Sequence, residues 1–158
     1  MAFREFSILH LTFFSSILYF WLKNSKISSK LHSSILFSYR YKIEKIIGKR
    51  TNLYRAPYGE YNNTVIKAAN DKAYYTIQWN LDTLDYNGLT GEEMWDRLDL
   101  KLSSGSIILT HNGTKHTADS LDMILKNIKQ KGYDVVPISD LIYKENYRID
   151  SAGVQISL

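Results

Sequence analysis

The chain has 158 residues, the length of one ordinary domain, and 44% of them are hydrophobic, enough for a packed core. It contains no cysteine, which excludes disulfides and cysteine-ligated metal sites. The net charge of +4 is uneven: residues 1–50 carry nine Lys and Arg against two Glu, whereas residues 51–158 carry eleven against fourteen Asp and Glu. Because the basic excess flanks an apolar stretch, a membrane surface is favoured over nucleic acid, and we expect no nucleic-acid partner.

The composition changes near Lys42. All six Phe lie in the first 37 residues, whereas the first Gly, Pro and Asp are Gly48, Pro57 and Asp71. This change predicts three segments, namely an apolar and basic leader at 1–41, a folded domain at 42–145 and a tail at 146–158.

A run of seventeen uncharged residues extends from Phe6 to Leu22. It is at the short end for a membrane-spanning helix. A signal peptide is disfavoured because Glu5 offsets Arg4 and no small-x-small cleavage site follows. Three interpretations stay open: a membrane anchor, a non-native leader such as the product of a truncated or frame-shifted gene, and a buried core segment.

From residue 42 onwards, strand-like and helix-like patterns alternate. The predicted strands are 52–54, 74–79, 106–110 and 133–136. The predicted helical segments are 42–47, 63–70, 90–102, 117–131 and 138–143. Thr90 and Glu93 have the spacing of a capping box, and Gly48 and Gly132 are placed to end helices. Alternating strands and helices predict an α/β fold with a parallel sheet or barrel.

Polar residues follow three of the predicted strands. Arg55 follows the first strand, Asp82 and Asp85 follow the second, and His111 follows the third. Folds with parallel strands place their active sites at the C-terminal ends of the strands, so these side chains are in a suitable place for one. An arginine, a carboxylate pair and a histidine are also residue types found together in hydrolytic sites. The structural alternative is that the two Asp cap a loop and that His111 is a hydrogen-bonded loop histidine.

Three strings at these positions resemble motifs of the NodB-homology polysaccharide deacetylases, carbohydrate esterase family 4. Arg-Ala-Pro-Tyr-Gly at 55–59 is similar to the third motif, and Asp-Thr-Leu-Asp-Tyr at 82–86 to the fourth, Asp-x-x-Asp-Trp. Leu-Thr-His at 109–111 is similar to the fifth, Leu-x-His. The resemblance covers about 42–143, and 105–142 is especially similar to the sporulation-type peptidoglycan deacetylases. It implies a partial, distorted (β/α) barrel, here preceded by an apolar N-terminal segment.

The resemblance also implies a reaction, the metal-dependent hydrolysis of acetyl groups from a cell-wall polysaccharide such as peptidoglycan or a chitin-like polymer. The family cofactor is a divalent metal, Zn or Co. By resemblance, His111 would protonate the leaving amine, Arg55 would pair with the catalytic base, and Asp85 would orient Arg55. Implied substrate-binding positions are Pro57, Tyr58 through its backbone N–H at the oxyanion, Tyr86 as a wall of the groove, and Leu109 against the acetyl methyl.

Two family motifs are missing. No Asp precedes Asp71, so the Thr-Phe-Asp-Asp-Gly motif is absent. The string that begins at His32 has Leu36 where the second His of His-Ser/Thr-x-x-His belongs, and His10, His32 and His116 do not form a credible metal set. We therefore expect that this chain alone does not bind the family metal. It is interpreted as a truncated deacetylase, with a catalytically inactive remnant or glycan-binding fragment as the alternative.

The same resemblance bears on location. A native N-terminal segment would make the chain extracytoplasmic or membrane-associated, with a cell-wall polysaccharide as its partner. However, Lys23, Lys26 and Lys30 follow the apolar run and would keep its C-terminal side in the cytoplasm by the positive-inside rule. That is the wrong side for a cell-wall polymer, so the location depends on whether the segment is native.

Overall fold

The computed structural model describes residues 4–8 and 40–158. They belong to two compact units, which we call the sheet unit (4–8 and 79–158) and the small unit (40–78). The strands in chain order are β1 (Arg4–Ile8), β2 (Leu53–Tyr54), β3 (Tyr75–Thr76), β4 (Leu81–Asp82), β5 (Ile107–Leu109), β6 (Tyr133–Val136), β7 (Tyr147–Ile149) and β8 (Gln155–Ser157). The helices are α1 (helical over 40–47), α2 (Asn63–Asn70), α3 (Gly91–Asp99), α4 (Thr117–Gln130) and α5 (Ile138–Leu141).

The sheet unit is built on four parallel strands in the order β4-β5-β1-β6. In the register of this sheet, Ile108 of β5 lies opposite Ile8 of β1 on one side and Leu81 of β4 on the other. Because all the pairings in this sheet are parallel, the C-terminal ends of β4 and β5 lie side by side at one edge. The predicted parallel α/β arrangement is confirmed, and the described strands do not close into a barrel.

Helices α3 and α4 cover this sheet with apolar side chains. The buried core consists of Leu81, Met94, Leu98, Ile108, Ile124, Ile128 and Tyr133. The helices approach so closely that a Cβ on Gly91 would lie 2.5 Å from Oγ of Ser120. The predicted capping box is confirmed, because the side chain of Thr90 accepts from the N–H of Glu93 while the Glu93 carboxylate accepts from the N–H of Thr90.

The strand predicted at 74–79 is wrong in extent. Within that span the structure has the two-residue strand β3, which pairs with β2 in the small unit, and a separate strand, β4, follows at 81–82 and pairs with β5 in the sheet unit. Asn80 immediately precedes β4 and joins the chain to β5, because its Oδ1 accepts from the N–H of Ile107 at 2.7 Å while its own N–H donates to the carbonyl of that residue at 3.1 Å. Asp85 therefore follows β4, a strand that sequence patterns did not separate from β3.

The small unit combines the parallel pair β2–β3 with α1 and α2. Its buried core consists of Tyr54, Ala56, Val65, Ala68, Ala69 and Tyr74. The α2 helix begins as predicted, after Asn62, whose side chain accepts from the N–H of Val65 at 2.9 Å. Gly48 ends α1 as predicted, with a left-handed φ of 67° and an N–H that donates to the carbonyl of Glu44.

The C-terminal segment predicted as a tail at 146–158 contains an antiparallel hairpin of β7 and β8. Asp150 shapes its turn, because Oδ1 accepts from the N–H groups of Ala152 and Val154, both at 2.9 Å. The segment therefore has its own backbone pairing.

The N-terminal apolar run lies mostly outside the described residues, which omit 9–39. Its described beginning, Phe6 to Ile8, belongs to β1, a strand of the sheet, and the three interpretations of the run stay open. Among the residues that the structure describes, no helix combines the length and apolarity needed to cross a membrane.

The first prediction concerns a buried hydroxyl in the small unit. Tyr54 is 7% exposed and its hydroxyl has no hydrogen-bond partner among the described residues. We expect Tyr54→Phe to raise the free energy of unfolding by up to about 1 kcal/mol, measured by urea denaturation at neutral pH. Burial also raises the pKa of Tyr54 to about 12 from 10.0, so the unfolded chain ionises this group at a lower pH than the folded chain. The free energy of unfolding of the wild type should therefore fall as pH rises through that range, and Tyr54→Phe should not show this fall.

Tyr74→Phe is the matched control for this experiment. Tyr74 is also 7% exposed, but its hydroxyl lies 3.4 Å from Oγ1 of Thr51. Its removal should therefore leave stability unchanged or slightly lower. A lower stability for Tyr54→Phe than for Tyr74→Phe would contradict the prediction and would mean that the Tyr54 hydroxyl has a partner.

Candidate active site at the ends of β4 and β5

A carboxylate and an imidazole meet where β4 and β5 end. Asp85 follows β4, and His111 follows β5. Nδ1 of His111 lies 2.7 Å from Oδ1 of Asp85, and the backbone N–H of His111 donates to Oδ2 at 2.6 Å. Both carboxylate oxygens are therefore engaged by the same residue, which fixes the ring relative to the carboxylate.

The loop that carries Asp85 is tied to β5. Thr83 is fully buried, and its Oγ1 donates to the carbonyl of Leu109 at 2.8 Å. Oδ1 of Asp82 accepts from the N–H of Leu84 at 2.9 Å, and Leu84 has a left-handed φ of 52°. This conformation costs a bulky residue about 1–2 kcal/mol, so the tight turn before Asp85 is maintained by the bonds around it.

The electrostatic state of Asp85 follows from its surroundings. Its side chain is 0% exposed, and Oδ2 also accepts from Oγ1 of Thr117 at 2.7 Å. Burial alone would raise the pKa of Asp85, but the hydrogen bonds from His111 and Thr117 favour the carboxylate more strongly and hold that pKa below its ordinary value. Asp85 is therefore an ionised acceptor at neutral pH.

An ionised Asp85 decides how His111 can act. Because the carboxylate is an acceptor only, the hydrogen between it and Nδ1 belongs to the ring, which leaves Nε2 to exchange a proton with another molecule. The His111 side chain is 29% exposed, so it is accessible although its partner is not.

Two further predicted site residues lie beside this pair. The ring of Tyr86 meets the His111 ring edge to face, with centroids 5.3 Å apart, and Tyr86 is 54% exposed. It therefore offers an accessible aromatic surface next to the imidazole. Leu109, at the end of β5, is buried at 6% exposure.

The other predicted site residues lie in the small unit. Arg55 follows β2 and is partly buried, which lowers the pKa of its guanidinium, although arginine stays charged at neutral pH. Pro57 and Tyr58 lie in a single helical turn at Pro57–Gly59, where Tyr58 has a left-handed φ of 57° and is 66% exposed. A strained, exposed aromatic residue in a loop is a common feature of ligand-binding sites.

The role predicted for Asp85 was to orient Arg55, and that pairing stays a prediction. Within the sheet unit, the described hydrogen bonds to Asp85 come from His111 and Thr117. The loop-capping interpretation applies to Asp82, whose side chain accepts from the N–H two residues further on. Sequence patterns did not indicate Thr117 as part of the site, since a threonine at the start of a helix is common.

The described residues do not provide a site for the family metal. Among residues 4–8 and 40–158, no group of three or more His, Cys, Asp and Glu side chains could hold a metal ion. His10 and His32, which the sequence analysis considered, lie outside the described residues. Within the described part of the chain, Asp85 and His111 are therefore two potential ligands without a third beside them.

Several known proteins are similar to this chain in sequence or in fold. Residues 22–77 match the family model for polysaccharide deacetylase. The chain is 30% identical over 118 residues to protein YlxY of Bacillus subtilis, covering 75% of this chain and 37% of YlxY. It is 30% identical over 113 residues to the peptidoglycan-N-acetylmuramic acid deacetylase PdaA of the same organism, covering 69% of this chain and 43% of PdaA.

A solved structure is also similar. BA3943 of Bacillus anthracis, described as a CE4 family pseudoenzyme, has a TM-score of 0.68 and 28% identity over 73% of this chain and 41% of that chain. The chain thus spans less than half the length of each of these three proteins. The resemblance that the sequence motifs indicated is confirmed.

The second prediction tests the electrostatic state of the pair. Asp85→Asn should lower the free energy of unfolding at neutral pH by about 1–3 kcal/mol, because a buried acceptor of charge-assisted hydrogen bonds is lost. A depressed pKa for Asp85 means that its contribution is present above the ordinary carboxyl pKa and is lost as pH falls through the lower folded value. The difference between wild type and variant should therefore shrink in acid, as denaturation curves at several pH values would show.

The tautomer of His111 gives a second measurement on the same variant. An asparagine amide can donate to Nδ1, so nitrogen NMR should show the ring hydrogen moving to Nε2. Asp82→Asn is the control, since its amide oxygen can still accept from the N–H of Leu84. An unchanged tautomer in a folded Asp85→Asn chain would show that Asp85 does not set the ring's proton.

Proposed function

Because this chain belongs to the polysaccharide deacetylase family, carbohydrate esterase family 4, we propose that it takes part in hydrolysing acetyl groups from a cell-wall glycan, with His111 protonating the departing nitrogen. The observation that carries the proposal is the Asp85–His111 pair, formed by the strings that resemble the fourth and fifth motifs. The family acts on amide bonds, and an amide nitrogen leaves readily only when it gains a proton.

The proposed substrate is an N-acetylated sugar of a cell-wall polymer. Support comes from PdaA, whose name states that it deacetylates N-acetylmuramic acid of peptidoglycan. The exposed ring of Tyr86 beside His111 would provide a flat face against a sugar ring. A chitin-like polymer presents the same N-acetyl group and is the second substrate to test.

The proton transfer follows from the geometry of the pair. When water has added to the acetyl carbon, the bond to nitrogen breaks as Nε2 of His111 gives its proton to that nitrogen. Asp85 accepts the Nδ1 hydrogen and so keeps it on that nitrogen before and after the transfer. A buried partner such as Asp85 is little screened by water, so its influence on the ring is strong.

The remaining roles rest on the resemblance. The N–H of Tyr58 is assigned to the oxyanion, Leu109 to the acetyl methyl, and Arg55 to the catalytic base. Members of the family generally use a divalent metal, but the described residues do not supply its ligands, so no step through a metal is assigned to them. We propose that the base and the metal ligands come from sequence outside this chain, which would make it part of a longer deacetylase.

A non-catalytic glycan-binding role is the second candidate. It is favoured by the missing Asp-Asp and His-x-x-x-His motifs and by the similarity to BA3943, which is described as a pseudoenzyme. In that case His111 and Tyr86 would contact a sugar without turnover. Binding of a peptidoglycan or chitin fragment that survives His111→Ala, together with no hydrolysis by a hybrid enzyme, would favour this candidate.

The third prediction concerns metal affinity. Calorimetric titration of the purified chain with Zn²⁺ or Co²⁺ should give a dissociation constant no tighter than about 1 μM, since the expected ligand set is incomplete. His111→Ala should bind the metal as weakly as the wild type. A one-to-one site in the nanomolar range would contradict the prediction.

The fourth prediction tests His111 in a reaction. A hybrid that joins residues 42–158 to the first two motifs of a complete homologue should deacetylate a chito-oligomer or peptidoglycan fragment. In that hybrid, His111→Ala should lower kcat by about 10²–10⁴-fold with little change in KM, because general acid catalysis contributes about that factor. Release of acetate measures the rate.

His116→Ala is the control in the same hybrid. His116 lies five residues further on, and its side chain makes no capping hydrogen bond to α4. Its removal should therefore change the rate little. Equal, small effects of the two substitutions would show that Leu-Thr-His at 109–111 is not the fifth motif of the family.

A further inference from the structure

The Asp85 carboxylate accepts a third hydrogen bond, from a side-chain hydroxyl, besides the two that His111 donates. Thr117, the first residue of α4, is 8% exposed, and its Oγ1 donates to Oδ2 of Asp85 at 2.7 Å. The same oxygen accepts the backbone N–H of His111 at 2.6 Å. Thr117 lies outside the three strings that resemble family motifs.

A second threonine fixes the direction of this hydrogen bond. Oγ1 of Thr114 donates to Oγ1 of Thr117 at 2.5 Å. Because each hydroxyl has a single hydrogen, Thr117 accepts from Thr114 and directs its own hydrogen to Asp85. The result is a partly buried chain of hydrogen bonds from Thr114 through Thr117 to the carboxylate, in which each bond polarises the next.

Capping of α4 does not explain the hydrogen bond from Thr117 to Asp85. The N-cap of the helix is His116, and Thr117 is already inside the first turn. A threonine at this position commonly contacts its own helix, but this hydroxyl reaches a carboxylate 32 residues earlier in the chain. The hydroxyl therefore serves the Asp85–His111 pair.

Orientation is what the threonine contributes. The terminal torsion of an aspartate is broad, so a carboxylate with few donors can rotate. Two donors on Oδ2, from Thr117 and from the His111 backbone, leave Oδ1 facing Nδ1 of His111. Loss of the hydroxyl would remove one of these two constraints and one of the bonds that favour the ionised form.

We propose that Thr117 is a positioning residue that holds the Asp85 carboxylate in register with the His111 ring, and that Thr114 orients its hydroxyl. The effect of Thr117 on turnover rests on the function proposed above. Its effect on the orientation of Asp85 and on the His111 ring does not depend on that function. Among the groups of the sheet unit, His111 is the titratable one in contact with Asp85, while Asp82, Tyr86 and Arg97 lie around the loop.

The test compares Thr117→Val, which keeps the shape and removes the hydroxyl, with Thr117→Ser, which keeps the hydroxyl. The probe is the full chain with labelled Asp and His, studied by carbon and nitrogen NMR against pH. Thr117→Val should raise the pKa of Asp85 towards its ordinary value, because a hydrogen bond that favours the carboxylate is lost. It should also broaden or shift the Nδ1 signal of His111, and Thr117→Ser should return both towards wild type.

Thr114→Val is the second variant and guards against a folding failure. It should shift the pKa of Asp85 in the same direction by a smaller amount, because Thr117 keeps its hydroxyl but loses its orientation. If Thr117→Val does not fold, Thr114→Val decides by itself: a raised Asp85 pKa supports the proposal, and a wild-type value overturns it. If Thr117→Val folds, an unchanged Asp85 pKa and an unchanged ring signal overturn it.

The outcomes separate this proposal from the function on which it rests. The NMR measurements need no turnover, so an inactive hybrid enzyme would remove the proposed reaction and leave the positioning result intact. In an active hybrid, Thr117→Val should lower kcat about tenfold or more with KM little changed and move the acid limb of the pH profile upward, with rescue by Thr117→Ser. A merely structural role would lower stability without moving that limb.

Discussion

A carboxylate without contact with water must have its oxygens hydrogen-bonded, and Asp85 is such a group. Its donors come from parts of the chain that are distant in sequence, namely His111, two residues after β5, and Thr117 in the first turn of α4. Their positions are mutually constrained, since each donor must approach the same carboxylate. The site is therefore as rigid as the packing of β4, β5 and α4 that surrounds it.

The parallel pairing of short strands makes this convergence possible. Leu81 and Asp82 pair with Ile108 and Leu109, which places the two following loops side by side. Thr83 then ties one loop to the other, and the left-handed Leu84 turns the chain into the position of Asp85. Backbone strain next to a candidate catalytic group is a recurrent feature of active sites, where the surrounding bonds compensate for it.

The chemistry that the described residues support is only part of a deacetylation. Proton donation to a leaving nitrogen needs an oriented imidazole with a carboxylate behind it, and the sheet unit has both. Water activation by a metal needs several ligands, which the described residues do not bring together. A chain with one part of this chemistry could belong to a longer deacetylase or could bind a glycan without hydrolysing it. Hydrolysis and glycan binding therefore have to be measured separately.

Sequence by itself determined much of the local structure: α2, the capping box of α3, the glycine ends of α1 and α4, and the resemblance of three motifs to one family. These depend on residues close in the chain, whose patterns report local energetics directly. Tertiary structure alone decided that the strand within 74–79 is short and that a separate strand, β4, follows it in the other sheet, that 146–158 contains a hairpin, and that Thr117 completes the bonds of Asp85. Those features depend on pairings and contacts between distant residues, and short polar segments carry no periodicity that would reveal them.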